Sequence, residues 1–243
     1  MSARGVPEYE FNLSLARRVE LALIAAGFER TVRLISDGPA RESLHERVRH
    51  ANRLPADLFL SIHHDSVPES FLQNWDHEGH RLRFSDRFKG HSIFVSNANR
   101  RQAGSLQFAR LLGLQLKARG LRYTPHYTKA EMGRRRRTLV DAEAGVYRYD
   151  RLMVLRATRM PAVLLEAGSI VNRDEEPLAV APERQALVSA AVTSAVAQFC
   201  AARAEATSVA RKRPRVLHAA RPEARGTTPA PAVNGSGQAD RVE

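Results

Sequence analysis

The chain has 243 residues, of which 43% are hydrophobic and 6% aromatic, and its formal net charge is +12 at pH 7. These totals suit one globular domain with a sizeable core, and the charge favours an anionic partner such as nucleic acid, anionic lipid or an acidic polymer. The single cysteine, Cys200, excludes an internal disulfide framework and a cysteine-rich zinc site. Any metal must therefore be bound by His and carboxylate side chains.

Two further exclusions concern membranes and secretion. No run reaches the roughly 18 apolar residues that a membrane span needs, so we predict no membrane span. The opening residues, "MSARGVPEYEFN", lack the apolar core of a signal peptide. We expect either a protein that stays inside the cell or a sequence whose true N-terminus is missing.

Taken along the chain, turn residues and apolar periodicity predict helices and strands in alternation. Helices are predicted at 11–27, which Gly27 ends, from a capping box at Ser43 and Glu46, and at 100–120 and 182–206. Strands are predicted at 30–36, 56–64, 91–97, 151–158 and 161–169. Residues 65–90 read as a long loop or a short mobile insert, 121–150 as irregular, and 207–243 as a disordered basic tail.

This alternation predicts an α/β sheet with helices on both faces, in which ligands lie at the carboxyl ends of strands. Two predicted strands end in ionisable groups: "LFLSI" is followed by His63, His64 and Asp65, and "AVLL" by Glu166. A hydrolytic zinc site needs about three protein ligands and a carboxylate that moves protons. His63 and Glu166 are of the right types, but a strand-end histidine bonded to backbone and a structural ion pair remain open alternatives.

Three stretches carry a family resemblance: "EYEFNLSLARRV", "SLHERVRHANRLPADLFLSIHHDS" and "GVYRYDRLMVLRATRMPAVLLEAGSIVNRDEE". In order and spacing they resemble the zinc-dependent N-acetylmuramoyl-L-alanine amidases that split daughter cells, over about residues 5–200. The resemblance implies a mixed, mostly parallel sheet flanked by helices. It also implies cleavage of the amide between the lactyl group of N-acetylmuramic acid and L-alanine in peptidoglycan. Residues 1–206 would form the catalytic domain, in the periplasm or outside the cell.

The resemblance also implies site residues. His63 falls on a zinc ligand, Glu8 on a second ligand with Glu10 as a poorer match, and Glu166 on the catalytic carboxylate. The family's opening strand and "D-P-G-H-G-G"-like loop, which carries the remaining zinc ligand, have no counterpart here. A start codon placed too late, a clipped fragment or a short protein that binds zinc weakly would each account for this.

Other residues receive supporting roles in this prediction. His64 and Asp65 are expected to support the zinc ligands, and Asn172 to fix the loop after the catalytic strand rather than contact substrate. His126 either lines the substrate groove or is a surface histidine. The run "GRRRR" is either solvated charge or a binding site for peptide-stem carboxylates.

The region at 68–90 is where relatives carry a regulatory segment. One hypothesis is therefore a helix there that blocks the zinc, with an activator protein that relieves the inhibition.

Two rival functions remain open. The charge suggests a nucleic-acid binder, but the few aromatic residues do not interleave with the basic runs, which disfavours it. A metal-free protein that binds the cell wall, derived from an amidase that lost its first strand, is the other.

Overall fold

A mixed sheet organises the computed structural model, which describes residues 1–36 and 40–212. Its helices are α1 (Glu8–Ala25), α2 (Ala40–Ala51), α3 (Gln102–Ala118), α4 (Met153–Arg156), α5 (Glu175–Val180) and α6 (Pro182–Lys212). Its strands are β1 (Phe59–Asp65), β2 (Gln73–His77), β3 (His80–Phe84), β4 (Ser92–Val95), β5 (Thr138–Asp141), β6 (Val146–Arg148) and β7 (Ala162–Ser169).

The described strands form a five-stranded sheet in the order β1-β7-β4-β6-β5 and a separate hairpin of β2 and β3. Pairs β1–β7 and β4–β6 are parallel, whereas β4–β7 and β5–β6 are antiparallel. Helices pack on both faces, so the predicted α/β class with a mixed, helix-flanked sheet is confirmed.

The strand β7 divides the core in two, because successive side chains of a strand point to opposite faces. Val163, Leu165 and Ala167 join a cluster with α1, α3 and α6, whereas Ala162 and Leu164 join a second cluster with α2 and α4. The alternation places the next residue of the second set, Glu166, on the α2/α4 face. Each fully buried Leu or Phe in these clusters stabilises the fold by roughly 1.5–3 kcal/mol.

Two predicted strands are wrong. Residues 31–36 have no regular structure, and Val32 and Ile35 are exposed. A strand is stable only where a neighbouring strand forms hydrogen bonds with its backbone N–H and C=O groups. Residues 31–36 form no such pair with β1, which within the described residues pairs with β7 alone. Residues 151–158 instead contain α4, whose amides bond locally: the N–H groups of Leu155 and Arg156 donate to Leu152 O at 3.1 Å.

The region at 65–90 is also more regular than predicted. It holds the hairpin β2–β3, whose turn has positive φ at Glu78 (51°) and Gly79 (77°). That left-handed pair is the two-residue turn that matches the twist of a hairpin. Similarly, the region predicted as irregular at 121–150 contains β5 and β6.

Helix boundaries differ in two places. Ser43 lies inside α2 rather than at its start, so the capping-box prediction is wrong. The last helix continues to Lys212, beyond the predicted boundary at residue 206, because no helix-breaking residue occurs before Pro214. The rest of the predicted tail, 213–243, lies outside the described residues.

One stretch of α6, Pro182–Ala206, is long and apolar enough by length and composition to cross a membrane, with a mean hydropathy of 1.4. The criterion of continuous apolar residues did not detect it. Its apolar side is occupied within the fold, since Ala191, Val192, Ala195 and Phe199 are fully buried against the core. Core packing therefore accounts for part of its composition, since 39% of the apolar window is buried, and the absence of a membrane span stays a prediction.

Candidate active site

The register of β1 and β7 brings His63 and Glu166 together. The two strands are parallel, and His63 is the direct neighbour of Glu166, 103 positions along the chain but one strand away. Residues opposite one another in adjacent strands point to the same face. Both predicted residues therefore lie at the same carboxyl edge, as the strand-end argument expected.

Glu8 reaches this edge from the first turn of α1. The chain is extended at Pro7 and enters the helix at Glu8, where the helix dipole favours a carboxylate. Its Oε1 lies 2.9 Å from His63 Nδ1 and accepts a 3.4 Å hydrogen bond from the amide of His64. Glu10 is exposed and points away, since helix positions two apart do not share a face. The carboxylate beside His63 is thus Glu8.

Asn12 holds Glu8 in place and was not among the predicted site residues. Its Nδ2 donates to Glu8 Oε1 at 2.9 Å, and its Oδ1 lies 2.9 Å from His64 Nδ1, which must be the protonated nitrogen of that ring. Burial raises the pKa of Glu8, but the hydrogen bonds from His63 and Asn12 outweigh it, so the pKa falls to about 2. Burial lowers the pKa of His64 to about 4. Glu8 is therefore ionised and His64 neutral at pH 7.

A second carboxylate, Asp65, ends β1 and is buried. The hydroxyl of Tyr127 lies 2.7 Å from each Asp65 oxygen, and the Ser66 amide donates to Oδ1 at 2.8 Å. Burial raises the pKa of Asp65 to about 6, although these hydrogen bonds act in the opposite direction. No sequence signal marked Tyr127, because it lies 62 positions from Asp65 in a region predicted to be irregular.

His126 packs beside this pair and is only 3% exposed, so the surface-histidine alternative is wrong. Its Nδ1 lies 2.5 Å from Thr124 Oγ1, and its Nε2 is 3.7 Å from Asp65 Oδ2. That Nε2 has no hydrogen-bond partner in the described part of the chain. Burial lowers the pKa of His126 to about 4, so the ring is neutral at pH 7.

Glu166 is the least satisfied carboxyl group of the cluster. Its Oε2 is buried and has no hydrogen-bond partner among the described residues. Burial, followed by the nearby charges of Asp65 and Glu8, raises the pKa of Glu166 well above its usual range. A carboxyl group in this environment retains a proton at pH values where an exposed glutamate has lost it.

Asn172 uses its whole side chain to fix the loop after β7. Its Nδ2 donates to the carbonyls of Asp86 (3.1 Å) and Phe88 (3.2 Å), and its Oδ1 accepts from the amides of Asp174 and Glu175. The contacts agree with the predicted loop-fixing role and leave no group free for a substrate.

The region expected to block the site with a helix forms the hairpin β2–β3 instead, so that prediction is wrong. Trp75 Nε1 donates to Ala3 O at 2.9 Å, and Leu82 lies against Gly5. In this segment single large apolar residues are separated by polar ones, a pattern that suits strands with one packed face rather than a helix. The packed face lies against the N-terminal segment.

The described residues do not provide a complete set of ligands for a metal ion. Glu8 and His63 are of the types that bind zinc, but the described residues contain no group of three or more His, Cys, Asp or Glu side chains arranged to hold a metal ion. A catalytic zinc takes about three protein ligands. The described residues therefore supply part of such a site and do not complete it.

The fold is that of solved peptidoglycan amidases. Ami1 of Mycobacterium smegmatis superposes with a TM-score of 0.60 at 24% identity, covering 83% of this chain and 80% of that protein. The CwlD amidase of Clostridioides difficile, solved in complex with the GerS lipoprotein, superposes with a TM-score of 0.54 at 16% identity, covering 82% and 88%.

Similarity in amino-acid sequence identifies the family to which the chain belongs. A profile of the N-acetylmuramoyl-L-alanine amidase family matches residues 1–198, and the chain belongs to that family. An N-acetylmuramoyl-L-alanine amidase of Mycobacterium tuberculosis is 26% identical over 203 residues, which are 83% of this chain and 72% of the relative.

Proposed function

We propose that this chain hydrolyses the amide between the lactyl group of N-acetylmuramic acid and L-alanine in peptidoglycan, with Glu166 as the catalytic carboxyl group. Family membership supports the reaction. The observation that carries the assignment of Glu166 is its buried Oε2, which lacks a hydrogen-bond partner in the described residues at the edge where His63 and Glu8 meet. Unpaired buried carboxyl groups are costly, and they are retained where they perform chemistry.

In the proposed reaction Glu166 moves one proton. As a carboxylate it accepts a proton from the water whose oxygen attacks the scissile carbonyl carbon. It then gives that proton to the stem nitrogen as the carbon–nitrogen bond breaks, which leaves a muramoyl carboxylic acid and a free L-alanine amine. The acid then loses the second proton of the water to solvent and becomes a carboxylate. A raised pKa suits this double role, because it brings the group closer to the working pH.

Glu8 and His63 are proposed as two ligands of a zinc ion, with Asn12 and His64 holding Glu8 in position. Zinc in such a site polarises the scissile carbonyl and lowers the pKa of water. Because the described residues supply only two donors, a third ligand has to come from outside them.

The test of Glu166 is the release of stem peptide from purified cell wall. Glu166→Gln keeps the shape of the side chain but cannot carry the proton, and we expect release to fall by at least about 100-fold. Glu143→Gln is the control, because Glu143 is an exposed glutamate whose side chain pairs with Lys117 at the surface. Equal release by the wild type and Glu166→Gln would refute the assignment.

Metal content separates the amidase from its alternative. The wild type is expected to retain zinc after dialysis, and His63→Ala to lose it. The incomplete donor set favours, as second candidate, a metal-free protein that binds the wall without cleaving it. A wild type that binds purified wall, holds no zinc and releases no peptide would establish that candidate.

The substrate implies where the protein works and what it meets. Peptidoglycan lies outside the cytoplasmic membrane, so we place the protein in the periplasm or outside the cell. CwlD is solved with a lipoprotein partner, and we propose an activator protein for this chain that acts at the hairpin β2–β3. Replacing residues 73–84 by a short glycine linker should then raise basal activity per folded molecule. Unchanged basal activity would exclude an inhibitory role for the hairpin.

A further inference from the structure

The run "GRRRR", which we call the arginine turn (residues 133–137), lies beside the candidate active site. Just before it, Met132 is buried in the same cluster as Tyr127. The amide of Arg137 donates to Tyr127 O at 2.7 Å and closes the turn. Gly133, with φ 50° and ψ −120°, adopts a conformation that other residues rarely reach and reverses the chain. The turn is thus fixed to the residue that hydrogen-bonds Asp65.

Only one arginine of the turn reaches the strand edge. Arg135 Nη1 donates to Ser66 O, the carbonyl that follows Asp65, at 2.7 Å. Its charge lowers the pKa of Asp65 and of Glu166. Arg136, by contrast, donates through Nε to Thr128 O at 3.0 Å, and Arg137 lies over the ring of Tyr149 at 3.7 Å.

The guanidinium of Arg135 is exposed and has no carboxylate within ion-pair distance in the described part of the chain. Arg87, by contrast, donates through Nη2 to both carboxylate oxygens of Glu131, at 2.8 and 2.7 Å, and is neutralised. A single carbonyl occupies one of the five N–H groups of Arg135. The remaining fork is free for a planar anion, and a carboxylate matches its geometry with two parallel hydrogen bonds.

We infer that Arg135 binds a carboxylate of the peptide stem and so selects acidic stems over amidated ones. The inference rests on the proposed function, in which Glu166 protonates the nitrogen where the stem begins. Arg135 is anchored at the end of β1, the strand that pairs with the one carrying Glu166, and this places its charge on the side of the site where the stem would leave. The alternative is that Arg135 is a solvated surface arginine that binds acidic and amidated peptides equally.

The test compares two ligands, N-acetylmuramoyl-L-alanyl-D-glutamate and its diamide, in which both glutamate carboxylates are amides. Binding is measured by calorimetry with the full chain in a Glu166→Gln background, so that neither ligand is consumed. We expect about tenfold tighter binding of the acid, the ratio that one charged hydrogen bond supplies. Adding Arg135→Gln should abolish the ratio, and Arg136→Gln, the matched control, should preserve it.

The inference would be overturned by a binding ratio near one in the background protein, or by a ratio that survives Arg135→Gln. An equal loss in both arginine variants would indicate general charge rather than a site and would also overturn it. Arg135→Lys guards against misfolding, since it keeps the charge and should retain part of the ratio.

Hydrolysis of the two ligands by the wild type is a separate readout. A wild type that cleaves neither ligand but shows an Arg135-dependent binding ratio refutes the proposed function and leaves this inference standing. A wild type that cleaves both ligands, with a binding ratio that does not depend on Arg135, would support the proposed function and refute this inference.

Discussion

Replacing Glu166 by glutamine should make the metal-free protein more stable above neutral pH while it abolishes hydrolysis. The carboxyl group has a raised pKa in the folded state, so between its unfolded and folded pKa the native state binds more protons than the unfolded state. Stability then falls as the pH rises through that window. Glutamine has no proton to lose and should remove this dependence.

The pH range that isolates Glu166 follows from the other shifted groups. Asp65 titrates at about 6 in the folded state, and His64, His91 and His126 titrate at about 4 instead of 6.5. The contributions of these four groups are complete by about pH 7, and that of Cys200 begins only near the ordinary pKa of a thiol, 9.0, because burial raises the pKa of Cys200 above it. One proton changes the free energy of unfolding by at most about 1.4 kcal/mol per pH unit. Above about pH 7 the wild type should therefore lose stability with a slope of up to that size wherever folded Glu166 keeps its proton, and Glu166→Gln should not.

The assay is urea unfolding, followed by far-UV circular dichroism with a chelator present, at several pH values across that range. Glu143→Gln is again the matched control and should follow the wild type, because Glu143 is exposed. Identical slopes for the wild type and Glu166→Gln would contradict the reasoning. A Glu166→Gln protein that is less stable than the wild type near pH 8 would show instead that the carboxylate is favourably solvated there.

Three further predictions concern the supporting residues. Asn12→Ala removes hydrogen bonds to Glu8 and His64 but gains helix propensity, so we expect a net loss of about 2 kcal/mol by urea unfolding, with no loss for exposed Asn97→Ala. His91 is buried with neither ring nitrogen hydrogen-bonded within the described residues, and its lowered pKa means that stability is lost as the pH falls from 6.5 towards 4. His91→Leu should reduce the slope of the free energy of unfolding against pH in that acid range by the equivalent of up to one proton. An unchanged slope would contradict this. Trp75→Phe removes the bond to Ala3 O and should cost about 1 kcal/mol and speed proteolytic cleavage within residues 73–84; an unaltered cleavage rate would count against the packing of the hairpin.

The sequence predicted best the parts of the fold that signal themselves locally. The continuous apolar runs of β1 and β7 identified two buried neighbouring strands, and the polar residues that end them are the ones brought together at the sheet edge. The glycine at position 27 has φ 91° and follows α1 as the prediction required. Glu166 stood out as an ionisable group at the end of an apolar strand, whereas Glu8 could be named only through the family resemblance, because nothing local distinguishes it from a solvated helix-start glutamate.

Elements that depend on a distant partner were not predictable from local pattern. The apolar residues at 30–36 suit a strand, but strand structure also needs a neighbour, and the described residues give them none. The run at 151–158 has strand composition yet forms α4, where local hydrogen bonds satisfy the backbone in a single turn. The sequence of the charged hairpin β2–β3 contains one residue typical of a hairpin turn, Gly79. Its flanking residues are polar and do not resemble strands, so Gly79 alone did not predict the hairpin.

The same reasoning explains why the site mixes predicted and unpredicted residues. His63 and Glu166 lie on strands, where register alone makes them neighbours, and their proximity follows from the sheet. Tyr127 and Arg135 approach from a loop that only tertiary packing positions, yet they set the charge balance of the edge, since one hydrogen-bonds Asp65 and the other is the nearby cation. Two carboxyl groups with raised pKa values cannot be kept in one buried cluster without such partners. The loop that sequence patterns describe least therefore contributes to the protonation state of Glu166, because the charge of Arg135 opposes the burial that raises the pKa of that carboxyl group.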